Sequence, residues 1–399
     1  MIEPKLRFKA DDGSQFPDWE EKTVGNMTVE LQDYEPLSSG YPLMTSSRTG
    51  LMMQNEFRSK SSTDDSTAIF SVVPRGVATY RHMSDDDIFH FNINNLVDKG
   101  LVSKEYPVFN TKDDYNLYLL VEYLNSSRNF LNFCKAQKKG GTRTRLYFKV
   151  LKDFELNMPS FPEQQKIAEF LSTIDTVIEK QKETVSAWEE RKKGMMQNLF
   201  SQEVRFKADD GSEFPEWEEK KLGDICKTFS GGTPKSGEAR YYENGTISFI
   251  RSGEIHDDKT ELRITNDGLN ESSTKMVDVG DILYALYGAT SGEVDISKIK
   301  GAINQAILCI RPLNDFNRKF IIEILRHNKE TILRTYLQGG QGNLSAQIIQ
   351  SLVFDFPCLA EQQKIADCLS SFDEVIEKQK ATLSAWEELK KGLLQQMFV

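Results

Sequence analysis

Apolar residues recur at steps of four and three through two stretches of the chain. In the first they are Ile167, Leu171, Ile174, Ile178, Val185, Trp188, Met195 and Leu199, with Gln181 and Lys192 the two polar residues in step. In the second they are Ile365, Leu369, Phe372, Ile376, Leu383, Trp386, Leu393 and Met397, with Gln379 and Lys390 polar. A seven-residue period of this kind predicts a coiled-coil seam rather than a helix packed on a single core. Glu163 to Phe200 has no Gly or Pro before Gly194 and is rich in Glu, Lys, Gln and Ala. It predicts one helix of about 30–36 residues, roughly 45–55 Å long.

Elsewhere the pattern shortens. Each seam is preceded by a helix-like stretch (about 114–136 and 317–337), a Gly-Gly loop (Gly140-Gly141 and Gly339-Gly340) and a strand-like run ending in Pro. The seams are copies of one another. Residues 7–27 and 205–225 agree at 15 of 21 positions, and residues 163–200 and 361–398 at 26 of 38, both at an offset of 198. The intervening inserts, about 28–158 and 226–356, share almost no identity although they have equal length. Two similar frames therefore hold two different heads, as expected of recognition modules with different targets.

Twice the offset is nearly the chain length of 399, so Val399 is equivalent to Ser201. The expectation is a pseudo-twofold, circular organisation in which the two helices pair antiparallel. Gln181 and Gln379 would then form a register-setting polar layer, and the helices a ruler between the heads. The fold class is α+β, with two globular domains containing small sheets and separated by the helix pair. The expected boundaries are 1–160 for the first head, 161–200 for the first long helix, 201–358 for the second head and 359–399 for the second helix.

Composition removes several function classes. No apolar run reaches the roughly 18 residues of a membrane span, and the N-terminal residues do not resemble a signal peptide. A cytoplasmic protein is expected. Five cysteines without a CxxC, and four scattered histidines, make neither a disulfide framework nor a zinc site. There is no Gly-Lys pair, hence no Walker loop, and no GxGxxG or GxSxG motif. The chain is expected to carry no catalytic site, metal or cofactor of its own. The net charge of −10 runs against nucleic-acid binding as an average, but phosphates feel the local field.

Locally, the first head concentrates Lys135, Lys138, Lys139, Arg143, Arg145 and Lys149 with no acid among them. Arg75, Tyr80, Arg81 and His82 form a second cluster suited to base edges or stacking. In the second head Ser230, Thr233 and Lys235 flank a Gly-Gly turn, and Arg251 is a further candidate. Tyr287 and Thr290 border a Gly-rich loop, while Gln341 and Asn343 stand where the first head carries arginines. Arginine favours guanine edges and the amides favour adenine, so the two heads should prefer different bases.

Phe229-Ser230-Gly231-Gly232-Thr233-Pro234, Gly280-Asp281-Ile282-Leu283, Gly339-Gly340 with Asn343-Leu344, and Glu-Gln-Gln-Lys-Ile-Ala at 163–168 and 361–366 carry a resemblance. Together with the alternating repeated and variable order, they make the chain similar to the DNA-specificity subunits of type I restriction–modification systems. The resemblance implies two target-recognition domains, each reading half of a split, asymmetric site in double-stranded DNA. It implies two methyltransferase subunits using S-adenosylmethionine, and ATP- and Mg2+-dependent endonuclease subunits, as partners. The first head departs from the pattern, with Asp33-Tyr34-Glu35-Pro36 in place of Gly-Gly-Thr-Pro. A stand-alone DNA-binding adaptor or competitor, without modification partners, is the other reading the sequence leaves open.

Overall fold

The structure is a computed structural model that describes residues 4–54, 68–138, 140, 142–337 and 343–398. Both long helices form. They span Phe161–Phe200 and Leu359–Met397, each about 60 Å at 1.5 Å per residue. They are longer than the pattern predicted because neither internal glycine stops them: Gly194 and Gly392 face open space.

The chain divides into two compact units, Met1–Glu183 with Ala381–Val399, and Thr184–Lys380. The division cuts both long helices near their centres rather than at their ends. In the first unit Ile167 and Leu171 share a core with Leu394, Met397 and Phe398, and Asp175 contacts Lys390. In the second unit Leu199 shares a core with Ile365 and Leu369, Lys192 contacts Asp373, and Trp188 packs edge-on to Phe372. Numbers rise on one helix as they fall on the other, so the helices pair antiparallel. Gln181 is half-buried in the first unit and Gln379 half-buried in the second.

The repeated segments have one job in both units, which is to close the start of a long helix. Glu163 is fully buried and accepts from Arg7 Nη2 at 2.9 Å and Trp19 Nε1 at 3.2 Å. Glu361, equally buried, accepts from Arg205 Nη2 at 2.8 Å and Trp217 Nε1 at 3.1 Å. Next to them Gln164 donates to Pro159 O and accepts from the Asn116 amide, and Gln362 does the same with Pro357 O and Asn317. Asn116 and Asn317 in turn cap helices Leu117–Ser126 and Arg318–His327. A buried carboxylate needs both a counter-charge and filled lone pairs. That requirement accounts for the recurrence of Arg, Trp, Glu and Gln at an offset of 198.

The heads differ in construction. The first has a three-stranded sheet (Lys99–Ser103, Ile69–Pro74, Tyr34–Pro36), a four-stranded sheet (Thr28–Glu30, Val108–Thr111, Ala78–Tyr80, Phe91–Ile93) and two short ribbons, Met44–Ser47 with Gly50–Met53 and Met83–Ser84 with Thr144–Arg145. The second has two four-stranded sheets, Cys226–Ser230, Ile307–Pro312, Ile282–Ala285, Val294–Ile296 and Arg263–Ile264, Ile247–Ile250, Gly301–Ile303, Lys275–Val277. In the latter sheet Ile247–Ile250 and Gly301–Ile303 run parallel. In both heads the helix-like stretch before the Gly-Gly loop is two helices. Ser127 caps the second helix in the first head with its side chain, and Asn328 separates the two in the other. No described helix is long and apolar enough to cross a membrane.

Candidate nucleic-acid interface

In the first head Arg145 lies on a short ribbon, and Arg81, His82 and Arg143 lie in the segments that flank it. Arg145 pairs with Met83 and Thr144 with Ser84, and Leu146 donates its amide to His82 O, extending the pairing. Side chains on a strand alternate between faces. Tyr80, His82, Ser84, Thr144, Leu146 and Phe148 are buried, while Arg81, Asp85, Arg143, Arg145 and Tyr147 are exposed. Phe148, Leu146 and Tyr80 belong to the core of this unit, which fixes the face on which the arginines emerge.

The turn that follows is acidic. Asp85 takes Arg143 Nε at 2.7 Å, Asp86 takes Arg48 at 2.5 Å, and Asp87 lies 3.6 Å from Lys138. Asp87 also accepts from the Thr144 hydroxyl. Arg81 and Arg145 make no ion pair among the described residues. Arg75 lies elsewhere, tied to Asp98 at 3.0 Å and to Asn95 O at 2.8 Å.

Two sequence-based candidates are corrected here. Tyr80 is fully buried, its hydroxyl donating to Leu146 O at 2.9 Å. His82 is 2% exposed and stacks under Tyr147; burial holds its imidazole below the usual pKa. Tyr80 closes a strand of the four-stranded sheet and His82 lies beneath the Tyr147 ring, so neither ring is exposed. Tyr147, 52% exposed, is the aromatic on the outward face. The alternation of Arg143, Arg145 and Tyr147 with Thr144, Leu146 and Phe148 carried that signal in the sequence. Lys139, like Gly141, lies outside the described residues.

In the second head the strand ends bring most candidates to one edge. Leu286 N donates to Ala306 O, Asn304 N to Ile250 O, and Leu344 N to Leu286 O. Those bonds place the loop after Ala285, the turn at Asn304–Gln305 and the segment from Asn343 side by side. Thr233, exposed, donates to Gln305 Oε1 at 2.6 Å. Thr290 donates to Ser252 O at 3.1 Å. Asn343 and Lys235 are exposed, and Tyr287 is half-buried against the core. Gln341 lies outside the described residues.

Ser230 and Arg251 are engaged within the head itself. The Ser230 hydroxyl is buried without a hydrogen-bond partner among the described residues. Arg251 grips Glu254 through Nε at 3.1 Å and Nη2 at 3.0 Å, and Glu261 at 2.5 Å. The two carboxylates push its pKa further up. Arg251 ties its own loop together. Gly231 and Gly232 also serve packing: a Cβ on Gly231 would lie 1.8 Å from Ile303 O, and one on Gly232 1.9 Å from Ser273 Oγ. Asp281 is another internal group, bound by Arg311 Nε at 2.9 Å and Nη2 at 2.5 Å.

Burial pushes the Cys134, Cys226 and Cys309 thiols up to about 12, far from nucleophilic character at neutral pH. The described residues contain no group of three or more His, Cys, Asp or Glu placed to hold a metal ion. What the heads offer outward is guanidinium, amide, hydroxyl and aromatic groups on rigid supports, the chemistry of contact with phosphates and base edges.

The family model of the type I restriction modification DNA specificity domain matches residues 89–186 and 215–385, more than half of the chain. The chain belongs to that family. Among curated relatives, this specificity subunit is 26% identical over 318 residues to the type I restriction enzyme MjaVIII specificity subunit of Methanocaldococcus jannaschii, covering 74% of this chain and 73% of the relative. It is 34% identical over 209 residues to the MjaIX specificity subunit of the same organism, covering 50% and 48%. Its fold is similar to that of the type I restriction–modification S subunit from M. genitalium, with a TM-score of 0.57, 16% identity and coverage of 100% and 99%. As a specificity subunit it is the DNA-recognition component of such a system and not its catalyst.

Proposed function

We propose that the chain recognises a bipartite, asymmetric sequence in double-stranded DNA, one half through each head. The observation that carries this reading is the contrast between frames with the same hydrogen bonds and heads with unlike outer edges. Identical joints need no explanation beyond folding, whereas unlike edges on them fit two half-sites of different sequence. In the first head Arg81, Arg143, Arg145 and Tyr147 supply the contacts, with Lys138 beside them. In the second, Thr233, Lys235, Tyr287, Thr290 and Asn343 do so. Gln181 and Gln379 hold the register of the helix pair.

The same reading supplies the partners. Two methyltransferase subunits bring S-adenosylmethionine, and endonuclease subunits bring ATP and Mg2+, while this chain contributes no catalytic group. The test is to express the chain with its methyltransferase partner and sequence the methylated genome. Replacing residues 28–158 with another recognition domain should change one half-site and leave the other intact. If both half-sites change together, the two-module reading is wrong.

A further inference from the structure

Two lysines in the helix seams are engaged in a way that the coiled-coil pattern does not explain. Lys390 Nζ lies 2.9 Å from Glu122 Oε2 and 2.7 Å from Asp175 Oδ1. Lys192 Nζ lies 3.0 Å from Glu323 Oε2 and 2.8 Å from Asp373 Oδ2. The lysine side chains are 17% and 13% exposed, and the glutamates 16% and 7%. In each case the ammonium joins three helices: its own long helix, the opposing long helix through Asp175 or Asp373, and a helix of the head through Glu122 or Glu323.

The arithmetic of positions is informative. Lys192 and Lys390 are 198 apart, as are Asp175 and Asp373, so both belong to the repeated frame. Glu122 and Glu323 are 201 apart and lie within the dissimilar inserts. Heads with almost no common sequence thus bring an acid to the same frame lysine from different offsets. Each head then braces its cluster differently: Tyr118 donates to Asp175 Oδ2 at 2.5 Å in the first, and Arg326 pairs with Glu323 at 2.8 Å in the second.

We propose that Lys390 and Lys192 are positioning residues, each fixing the orientation of one head on the helix pair by holding one carboxylate from the head and one from the opposing helix. The inference rests on the two-head reading above. A half-buried ammonium held by two carboxylates has little freedom to slide. Losing it strands the head's glutamate, 16% or 7% exposed, without its cation, and the head then samples orientations that do not meet the DNA together with its partner head. Binding of the second half-site gains from the first only when both are held in place.

The experiment uses the full chain with its methyltransferase partner. The duplex carries the wild-type site, as established by methylation sequencing, alongside duplexes with either half scrambled. Lys390→Met should weaken the full site by about tenfold because the two heads no longer engage together, and leave the duplex retaining only the second half-site unchanged. Lys192→Met should do the converse for the first half-site, and Lys390→Arg should restore binding. The triple variant Lys390→Met, Glu122→Gln, Asp175→Asn leaves no stranded charge. It should fold and still show the selective loss.

Unchanged full-site binding by well-folded Lys390→Met, or equal weakening of both half-sites by either variant, overturns the proposal. Hydrogen exchange on the DNA-free chain separates this from failure of the two-head reading. Lys390→Met should speed exchange in 117–126 and not in 318–327. Equal exchange in both variants and wild type refutes the joint whatever DNA the chain binds.

Discussion

Arg7 and Arg205 meet their buried glutamates at 2.9 and 2.8 Å, yet the heads built on those joints share neither sheet order nor outward chemistry. In the first head a two-stranded ribbon and its flanking segments expose Arg81, Arg143, Arg145 and Tyr147. In the second, Arg251 is closed on Glu254 and Glu261, and the exposed edge consists of Thr233, Lys235 and Asn343. The difference teaches that repetition along this chain tracks groups with demanding burial. A buried carboxylate tolerates few partners, whereas a solvent-facing edge accepts any side chain that its backbone can display.

The largest effect should come from breaking the frame. Arg7→Met leaves Glu163 buried with no guanidinium and should destabilise the first unit by about 3–5 kcal/mol. Arg205→Met should cost the second unit the same. Denaturant unfolding followed by unit-resolved hydrogen exchange measures both, and unequal losses would end the equivalence of the frames.

Next come the heads. Arg143→Ala with Arg145→Ala should weaken DNA binding by about 1–3 kcal/mol and lower the slope of log K against log salt by about 1 for each phosphate no longer neutralised. Arg251→Ala should instead lower the melting temperature and leave that slope alone, because its guanidinium is committed to two glutamates. Salt titrations and melts of both variants decide this. An altered slope for Arg251→Ala would place it at the DNA.

A smaller effect returns to the frame. Gly194 and Gly392 sit within helices facing open space, so alanine at either should stabilise by about 0.5–1 kcal/mol. A loss at one and a gain at the other, read by thermal melting, would show that the two helices carry different constraints.

The smallest concerns pH. Burial lowers the pKa of His82 from 6.5, so the fold favours neutral imidazole. Glu105, Arg81, Arg145 and the Tyr147 ring surround it. The stability that belongs to neutral His82 is complete above pH 6.5 and is lost as pH falls below it. Exchange of the 143–147 amides should therefore rise on acidification, and His82→Phe should flatten the rise. An unchanged profile in that variant would assign the effect to another group.

Much of this architecture was legible beforehand. The seven-residue period announced both long helices because a helix buries one stripe and the stripe must repeat with its turn. The offset of 198 announced the frames, and the cluster at Arg143 and Arg145 drew attention to the ribbon. Tyr80 and His82 misled because adjacent residues on a strand point to opposite faces. Composition marks a cluster, and only the neighbouring core says which half of it is outside. Ser230, Gly231 and Gly232 misled similarly: small residues permit close approach, and here what approaches is the chain's own Ile303 and Ser273.

The sequence by itself determined the long helices, the two frames and the family, because periodicity, repetition and motif order are properties of the chain read in one dimension. Tertiary structure alone decided that the seam lysines face Glu122 and Glu323, that Arg251 is spent on its own loop, and which face of the ribbon carries its arginines outward. Those outcomes depend on side chains far apart along the chain, on how a loop closes, or on which side of a strand is buried. Burial and charge pairing act through distance in space, which the order of residues encodes only once the chain has folded.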